Sequence, residues 1–319
     1  MPLRFGAFVP QGWRMDLADV PDAIEKYETM SRCAREAESA GWDSIWLYDH
    51  FHTAPPAQIE ATFECWSSVA ALARDTSTIR LGQMVTCSGY RPPALLAKMS
   101  SCIDVLSHGR LIVGMGAGWY QQEFEAYGYA YPGTGERLRR LDEAVQALKL
   151  MWSQERPDFE GRFYRLQGPI AKPVQTPHPP LWIGGGGEKV TLKLVARHAD
   201  GCNLGGDIDT LGRKLDVLRQ HCELVGTDYA RIVKSTQVNA ILGDDAEVDR
   251  VVRETARRTA REPDAVRAQF EPFAGRPEKI AEAMRDLAEV GFDYFIVYLP
   301  NMFEGGAIDA FADEVLALV

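Results

Sequence analysis

The chain alternates short apolar runs with longer stretches in which apolar residues recur every three or four positions. "LRFGAFVP" reads as a strand, and Ile24, Tyr27, Cys33, Ala34 and Ala37 then mark one face of a helix. "SIWLYDH" precedes helical "CWSSVAALARD", and "IRLGQMVT" precedes "ALLAKMSSCIDVL". "RLIVGMG" precedes a helix with the stripe Leu138, Leu141, Val145, Leu148 and Trp152. "PLWIGG" leads to "KVTLKLVARHA", and "GCNLG" to a helix carrying Leu211, Leu215, Leu218 and Cys222. "IVKSTQVNAIL" precedes the charged helical stretch "VDRVVRETARRTARE", and "KIAEAMRDLAEVG" runs into "FDYFIVYLP" and helical "IDAFADEVLALV". Apolar strands separated by helices predict a parallel sheet covered by helices. About eight such units without an evident linker predict a single-domain (β/α)8 TIM barrel over residues 1–319. A two-domain, doubly wound sheet is the alternative. Residues 153–180 and 261–276 are too long for simple connections and are expected to be insertions in the barrel.

A barrel directs attention to the ends of its strands, because chemistry sits at the C-terminal ends and in the loops that follow. "DHFH", "VTCSGY", "GMGAGWY" and "IGGGG" all fall there, whereas His108 lies in a helix-to-strand turn on the opposite face. The first stretch brings Asp49, His50 and His52 together. A metal hydrolase would need further His or Asp ligands at later strand ends. Those ends read "IGGGG", "NLGG" and "YLPN", so no metal is expected. His52, beside "TAPP", is read as an ordinary loop residue. Asp49 and His50 suit proton transfer, since a carboxylate beside an imidazole can fix its tautomer.

The glycine loops add a second chemistry. Gly184, Gly185, Gly186 and Gly187 let the backbone approach a ligand, and the amides of a following helix can bind a phosphate. Lys189 adds positive charge there, while Glu188 would repel an anion if it turned inward. "GMGAGWY" lacks the spacing of a dinucleotide fingerprint, yet it admits a flat ring with Trp119 and Tyr120 as walls. Cys87 has no adjacent base and is read as lining a pocket, not as a nucleophile.

Composition narrows the partners. With 35 basic and 45 acidic residues the net charge is −10, which argues against nucleic acid. No apolar run approaches the length of a membrane span. Six cysteines without a CxxC pair read as reduced thiols, and a cytoplasmic protein is expected.

The stretches "RFGAFVPQG", "AGWDSIWLYDHF", "RLGQMVTCSGYRPPALLAK", "VLSHGRLIVGMGAGWYQQEFEAYGY", "RLRRLDEAVQALKLMW" and "PPLWIGGGGEKVTLKLVARHADG", in this order, resemble the luciferase-like monooxygenase superfamily. The resemblance is greatest to the branch that uses the deazaflavin coenzyme F420. It implies a (β/α)8 barrel, hydride transfer, His50 as proton donor or acceptor, and Asp49 orienting it or the cofactor ring. It further implies a non-proline cis peptide at Met84–Val85 behind the ring, with Cys87 near the ring or its ribityl chain. Ala117, Gly118 and Tyr120 match the cofactor-lining loop, and Gly185, Gly186, Gly187, Glu188 and Lys189 the phosphate site. Trp119 stands where sugar-phosphate dehydrogenases of the branch carry a glutamate, and no basic substrate-phosphate cluster can be placed. Glu123 and Glu125 are possible substitutes for that acid. A small uncharged or aromatic substrate is therefore expected, with Trp119 against it. FMN-dependent monooxygenation with a separate flavin reductase is the first alternative, and non-catalytic flavin binding the second. Relatives are commonly dimers, which implies a homodimer.

Overall fold

The computed structural model describes residues 3–53 and 57–319. Pro55 and Pro56, which follow "DHFHTA", lie outside the described residues. The strands are β1 (Arg4–Phe8), β2 (Ser44–Leu47), β3 (Arg80–Gln83), β4 (Thr86–Cys87), β5 (Leu111–Gly116), β6 (Asp158–Glu160) and β7 (Arg165–Gln167). They continue with β8 (Leu181–Gly184), β9 (Gly201–Leu204), β10 (Val233–Asn239), β11 (Ile241–Leu242), β12 (Ala274–Gly275) and β13 (Tyr294–Tyr298). The chain clusters into two compact units, one of Met1–Glu64 with Lys234–Val319, the other of Cys65–Val233.

In the first unit β1 pairs in parallel with β2 on one side and β13 on the other, and β13 pairs in parallel with β10. Every residue of β2 and β13 is buried, as continuous apolar runs with both faces covered require. The helix Ala23–Ser39 begins where Asp22 accepts hydrogen bonds from the amides of Ile24 at 2.8 Å and Glu25 at 3.2 Å. "IVKSTQVNAIL" is two strands, not one: β10 ends at Asn239, and β11 pairs with β12 in a separate two-stranded sheet. Residues 261–276, expected as an insertion, hold the helix Pro263–Phe270 and β12.

In the second unit β5 lies between β3 and β8, β8 pairs with β9, and β4 adds to β5, all in parallel. Residues 153–180 contain the antiparallel pair β6–β7. The helix Ile208–Val225 is capped by Asp207, and Gly226 closes it at φ 79°, a left-handed conformation that glycine adopts without a Cβ clash. Arg110, buried behind the "LSHGR" turn, donates to the carbonyls of Ala73, Thr76, Ile79 and Ser107 and to the Thr76 hydroxyl. His108 sits in that turn, away from the strand ends that carry the candidate residues.

The helices Thr134–Ser153 and Thr191–His198 are joined by His198, whose Nε2 lies 3.1 Å from Asp142 Oδ1. Burial lowers the His198 pKa below 6.5, and the Asp142 charge only partly opposes it. A histidine held neutral by the fold stabilises it fully above the unfolded-state value. That contribution is lost as pH falls below about 6.5 towards the lowered folded value, because the unfolded chain binds the proton first. Urea midpoints measured across this range are expected to fall with pH, and His198→Gln is expected to flatten the slope. An unchanged slope in the variant would assign the pH dependence elsewhere.

Candidate active site

In the first unit, the end of β2 is pinned by one glutamine. Gln11 Nε2 donates to the carbonyls of Tyr48 at 2.8 Å and Phe63 at 2.6 Å, and Gln11 Oε1 accepts from the Tyr48 amide at 2.8 Å. This fixes the backbone just before Asp49, which is buried, and His50, which is half-buried. Trp13 lies flat on the His50 ring, with centroids 4.3 Å apart and planes 3° apart. Stacking of this kind contributes about 0.5–1.5 kcal/mol beyond buried area, enough to hold one orientation of the imidazole face. The indole Nε1 of Trp13 is buried with no hydrogen-bond partner.

A layer of aromatic rings supports the pair. Phe8 stacks on Tyr48 at 4.2 Å, and the Arg14 guanidinium sits over the rings of Tyr298 at 4.2 Å and Tyr48 at 5.0 Å. Arg14 Nη1 donates to Asn239 Oδ1 at 3.1 Å, which also accepts from Gln237 Nε2 at 2.8 Å. Burial pushes the phenol pKa values of Tyr48 and Tyr298 well up, so both stay protonated at neutral pH. The carboxyl of Asp16 is likewise pushed up by burial, against amide hydrogen bonds that include one from Gly12 at 2.7 Å. His52, in the bend after β2, is half-buried. Among the described residues no three His, Cys, Asp or Glu side chains gather as a metal site.

In the second unit, the peptide joining Met84 and Val85 is cis. The Val85 side chain fills space that two strands leave clear. A Cβ on Gly116 would lie 2.5 Å from Val85 Cγ2, and one on Gly184 would lie 2.7 Å from Val85 Cγ1. A Cβ on Gly114 would collide with the Gln83 carbonyl oxygen. On either side of the cis bond, the amide oxygen and nitrogen of Gln83 and the hydroxyl of Thr86 are buried without hydrogen-bond partners. Buried polar groups are nearly always satisfied, so three orphans together mark a place for a ligand with donors and acceptors on one edge.

The pairing of Cys87 with Gly116 brings Cys87 beside Ala117 and Gly118. Cys87 is buried, and Gly118, at φ 76°, leaves room for its sulfur, which a Cβ there would meet at 2.5 Å. Tyr120 is buried, whereas Trp119 is 57% exposed and stacks on Tyr120 at 5.2 Å. Glu123 is wholly buried and accepts the Tyr90 hydroxyl; Glu125 is exposed and accepts from Gln121 at 2.7 Å.

The glycine run differs from expectation in detail. A turn at 188–190 separates it from the helix Thr191–His198, so the run does not open the helix directly. The Glu188 carboxylate pairs with Arg213 at 3.0 Å, and Lys189 is exposed. The cation beside the run is Lys214: a Cβ on Gly186 would lie 2.5 Å from its Nζ. The sequence carries no local signal for Lys214, which reaches the loop from the helix Ile208–Val225. Trp13 could have been suspected from "GWR" straight after a strand.

Comparison with known proteins bears on both halves. The luciferase-like monooxygenase family model matches residues 3–257. The chain is 29% identical over 314 residues to an F420-dependent glucose-6-phosphate dehydrogenase of Kineococcus radiotolerans, covering 90% of this chain and 91% of that one. It is 26% identical over 318 residues to an FMNH2-dependent dimethylsulfone monooxygenase of Pseudomonas fluorescens, covering 90% and 86%. Among solved structures, an F420-dependent secondary alcohol dehydrogenase in complex with an F420–acetone adduct aligns over 100% of both chains, with a TM-score of 0.80 at 19% identity. The fold is thus the (β/α)8 barrel that the alternating pattern implies.

Proposed function

The chain belongs to the luciferase-like monooxygenase family, and within it we propose a coenzyme F420-dependent oxidoreductase acting on a small organic substrate. The observation that carries the ring site is the cradle at Met84–Val85. Gln83 offers both a donor and an acceptor, Thr86 a hydroxyl, and the glycines around Val85 clear the backbone. That set suits the imide edge of a deazaflavin or flavin ring. F420-dependent dehydrogenases among the relatives, together with Asp49–His50, favour the deazaflavin.

When bound, the deazaflavin supplies a carbon that gives or takes a hydride and reacts poorly with oxygen. The chain's own residues supply the rest. In the second unit Met84 and Val85 would back the ring, with Cys87, Ala117, Gly118 and Tyr120 beside them; in the first unit Asp49 is the residue assigned to the cofactor. Gly185, Gly186 and Gly187 approach the phosphate, with Lys214 as the nearby cation. Glu188, paired with Arg213, and Lys189, exposed, belong to the same phosphate loop. Trp119, exposed on the loop after β5, covers the substrate. His50 takes the proton of an alcohol when neutral, or gives one to a carbonyl oxygen when protonated. Trp13 holds its ring by stacking, and Gln11 holds the strand end beneath it.

The reading includes one domain over residues 1–319, a homodimer, and a cytoplasmic location. Six free cysteines accord with a reducing compartment. Among the described residues no helix is long and apolar enough to cross a membrane.

Fluorescence titration of cofactor-free protein with F420, and separately with FMN, tests the reading. F420 is expected to bind at least tenfold more tightly. Preference for FMN would sink the proposal and favour oxygen-dependent chemistry of the kind named for the Pseudomonas relative.

A further inference from the structure

In the first unit, the loop after β1 carries polar groups that proton transfer does not use. Arg14 is half-buried, and the groups around it are neutral. Its guanidinium sits over the rings of Tyr298 at 4.2 Å, Tyr48 at 5.0 Å and Trp13 at 5.3 Å. Of the five N–H donors a guanidinium carries, one meets Asn239 Oδ1 at 3.1 Å, and the Tyr298 hydroxyl lies nearby. The carboxylate two residues on is committed elsewhere: Asp16 accepts from the amides of Gly12 at 2.7 Å and Gln11 at 3.4 Å. Among the described residues no carboxylate pairs with Arg14.

Two buried donors lie in the same layer. The Trp13 indole Nε1 and the Tyr48 hydroxyl have no hydrogen-bond partner, and their rings are 4.3 Å apart. The Gln237 side chain approaches the Tyr48 hydroxyl without closing a bond. Buried polar groups are nearly always satisfied, so two orphans beside a cation without a counter-charge mark a place for an acceptor. The loop itself is braced. Met15 donates its amide to the Gly12 carbonyl at 2.9 Å and takes φ 60°, a left-handed conformation that a non-glycine residue keeps only where its surroundings impose it.

We propose that Arg14, the Trp13 indole N–H and the Tyr48 hydroxyl hold a carboxylate of the substrate, which makes the substrate a small organic acid whose alcohol or carbonyl meets His50. The inference rests on the oxidoreductase reading, because that reading brings substrate to His50. Trp13 connects the two ends of such a molecule, since its ring touches both the His50 imidazole and the Arg14 guanidinium. One guanidinium with two neutral donors matches a single charge spread over two oxygens, whereas a phosphate dianion would call for a second cation. The rings of Trp13, Tyr48 and Tyr298 suit a flat apolar body behind the carboxylate.

The test titrates cofactor-free protein with benzoate, phenylacetate and mandelate, each beside its uncharged amide. Two readouts are taken: affinity by calorimetry, and the indole ¹⁵N–¹H signal of Trp13, assigned by its absence in Trp13→Phe. At least one acid is expected to bind tenfold or more tightly than its amide, about the effect of one charge-assisted hydrogen bond, and to shift the Trp13 signal. Arg14→Gln should abolish that preference, Arg14→Lys should keep part of it, and Tyr48→Phe should weaken the acid several-fold with little effect on the amide. Urea midpoints establish that each variant is folded. His50→Ala should retain the preference. Acids no better than their amides, an unmoved Trp13 signal, or a preference lost in His50→Ala and kept in Arg14→Gln would overturn the inference. F420 titration is scored separately: an acid preference without F420 binding would keep this carboxylate site and remove the cofactor reading, and F420 binding without the preference would do the reverse.

Discussion

His50→Ala is expected to lower turnover by about two to four orders of magnitude, the usual contribution of a positioned acid or base. F420 affinity is expected to stay within about threefold of the parent. The split matters because the imidazole is held by Trp13 and by the strand end that Gln11 pins. Removing it takes away the proposed proton-transfer group without dismantling the cradle around Val85. Trp13→Leu is expected to give a smaller loss of turnover, since it releases the ring without deleting it. Single-turnover hydride transfer followed by deazaflavin absorbance measures both variants. Full activity in His50→Ala would place the proton on another group, and a parallel loss of binding would make His50 a cofactor ligand first.

The second large effect is steric. Gly116→Ala puts a methyl group 2.5 Å from Val85 Cγ2, and overpacking of that kind typically costs about 1–3 kcal/mol. The Val85 side chain must move, and with it the surface that backs the ring, so cofactor affinity should fall at least tenfold. Val85→Ala removes the colliding methyl groups, and the double variant should recover much of the lost stability, with a coupling of roughly 0.5–3 kcal/mol. Gly205→Ala, where a Cβ meets nothing within 4 Å, serves as the control. Urea denaturation and F420 titration of the four proteins supply the two readouts. Additive losses in the double variant would show that Val85 is not what Gly116 makes room for.

The fold was legible because each buried parallel strand leaves an apolar run and each covering helix a three-to-four spacing, both local patterns. Very short strands leave neither, and β11, β12 and the β6–β7 pair went unseen for that reason. Sequence also located the cis bond at Met84–Val85, because the surrounding "GQMVTCSGY" carried a family pattern. It drew attention to Lys189, next in the chain, and gave no sign of Lys214, which approaches the run from a later helix. Nor could it find the cavity of about 430 Å³ that Arg91 and Arg137 line. Arg91 and Arg137 belong to different segments, and no spacing rule connects residues that meet only after folding. The same applies to Gln11, whose partners Tyr48 and Phe63 lie 37 and 52 positions away.

The pairing of β1 with β13 also has a bearing on synthesis. Every other strand of the chain is made between the two, and at about 5–20 residues per second this leaves one edge of β1 without its neighbour for tens of seconds. The segment Cys65–Val233 is continuous and has all its own strands as soon as it leaves the ribosome. The unit that begins first is therefore the one completed last. A nascent chain halted before β13 would already carry the Val85 cradle, while His50, the residue proposed for proton transfer, would follow a strand pair whose far side is still unmade.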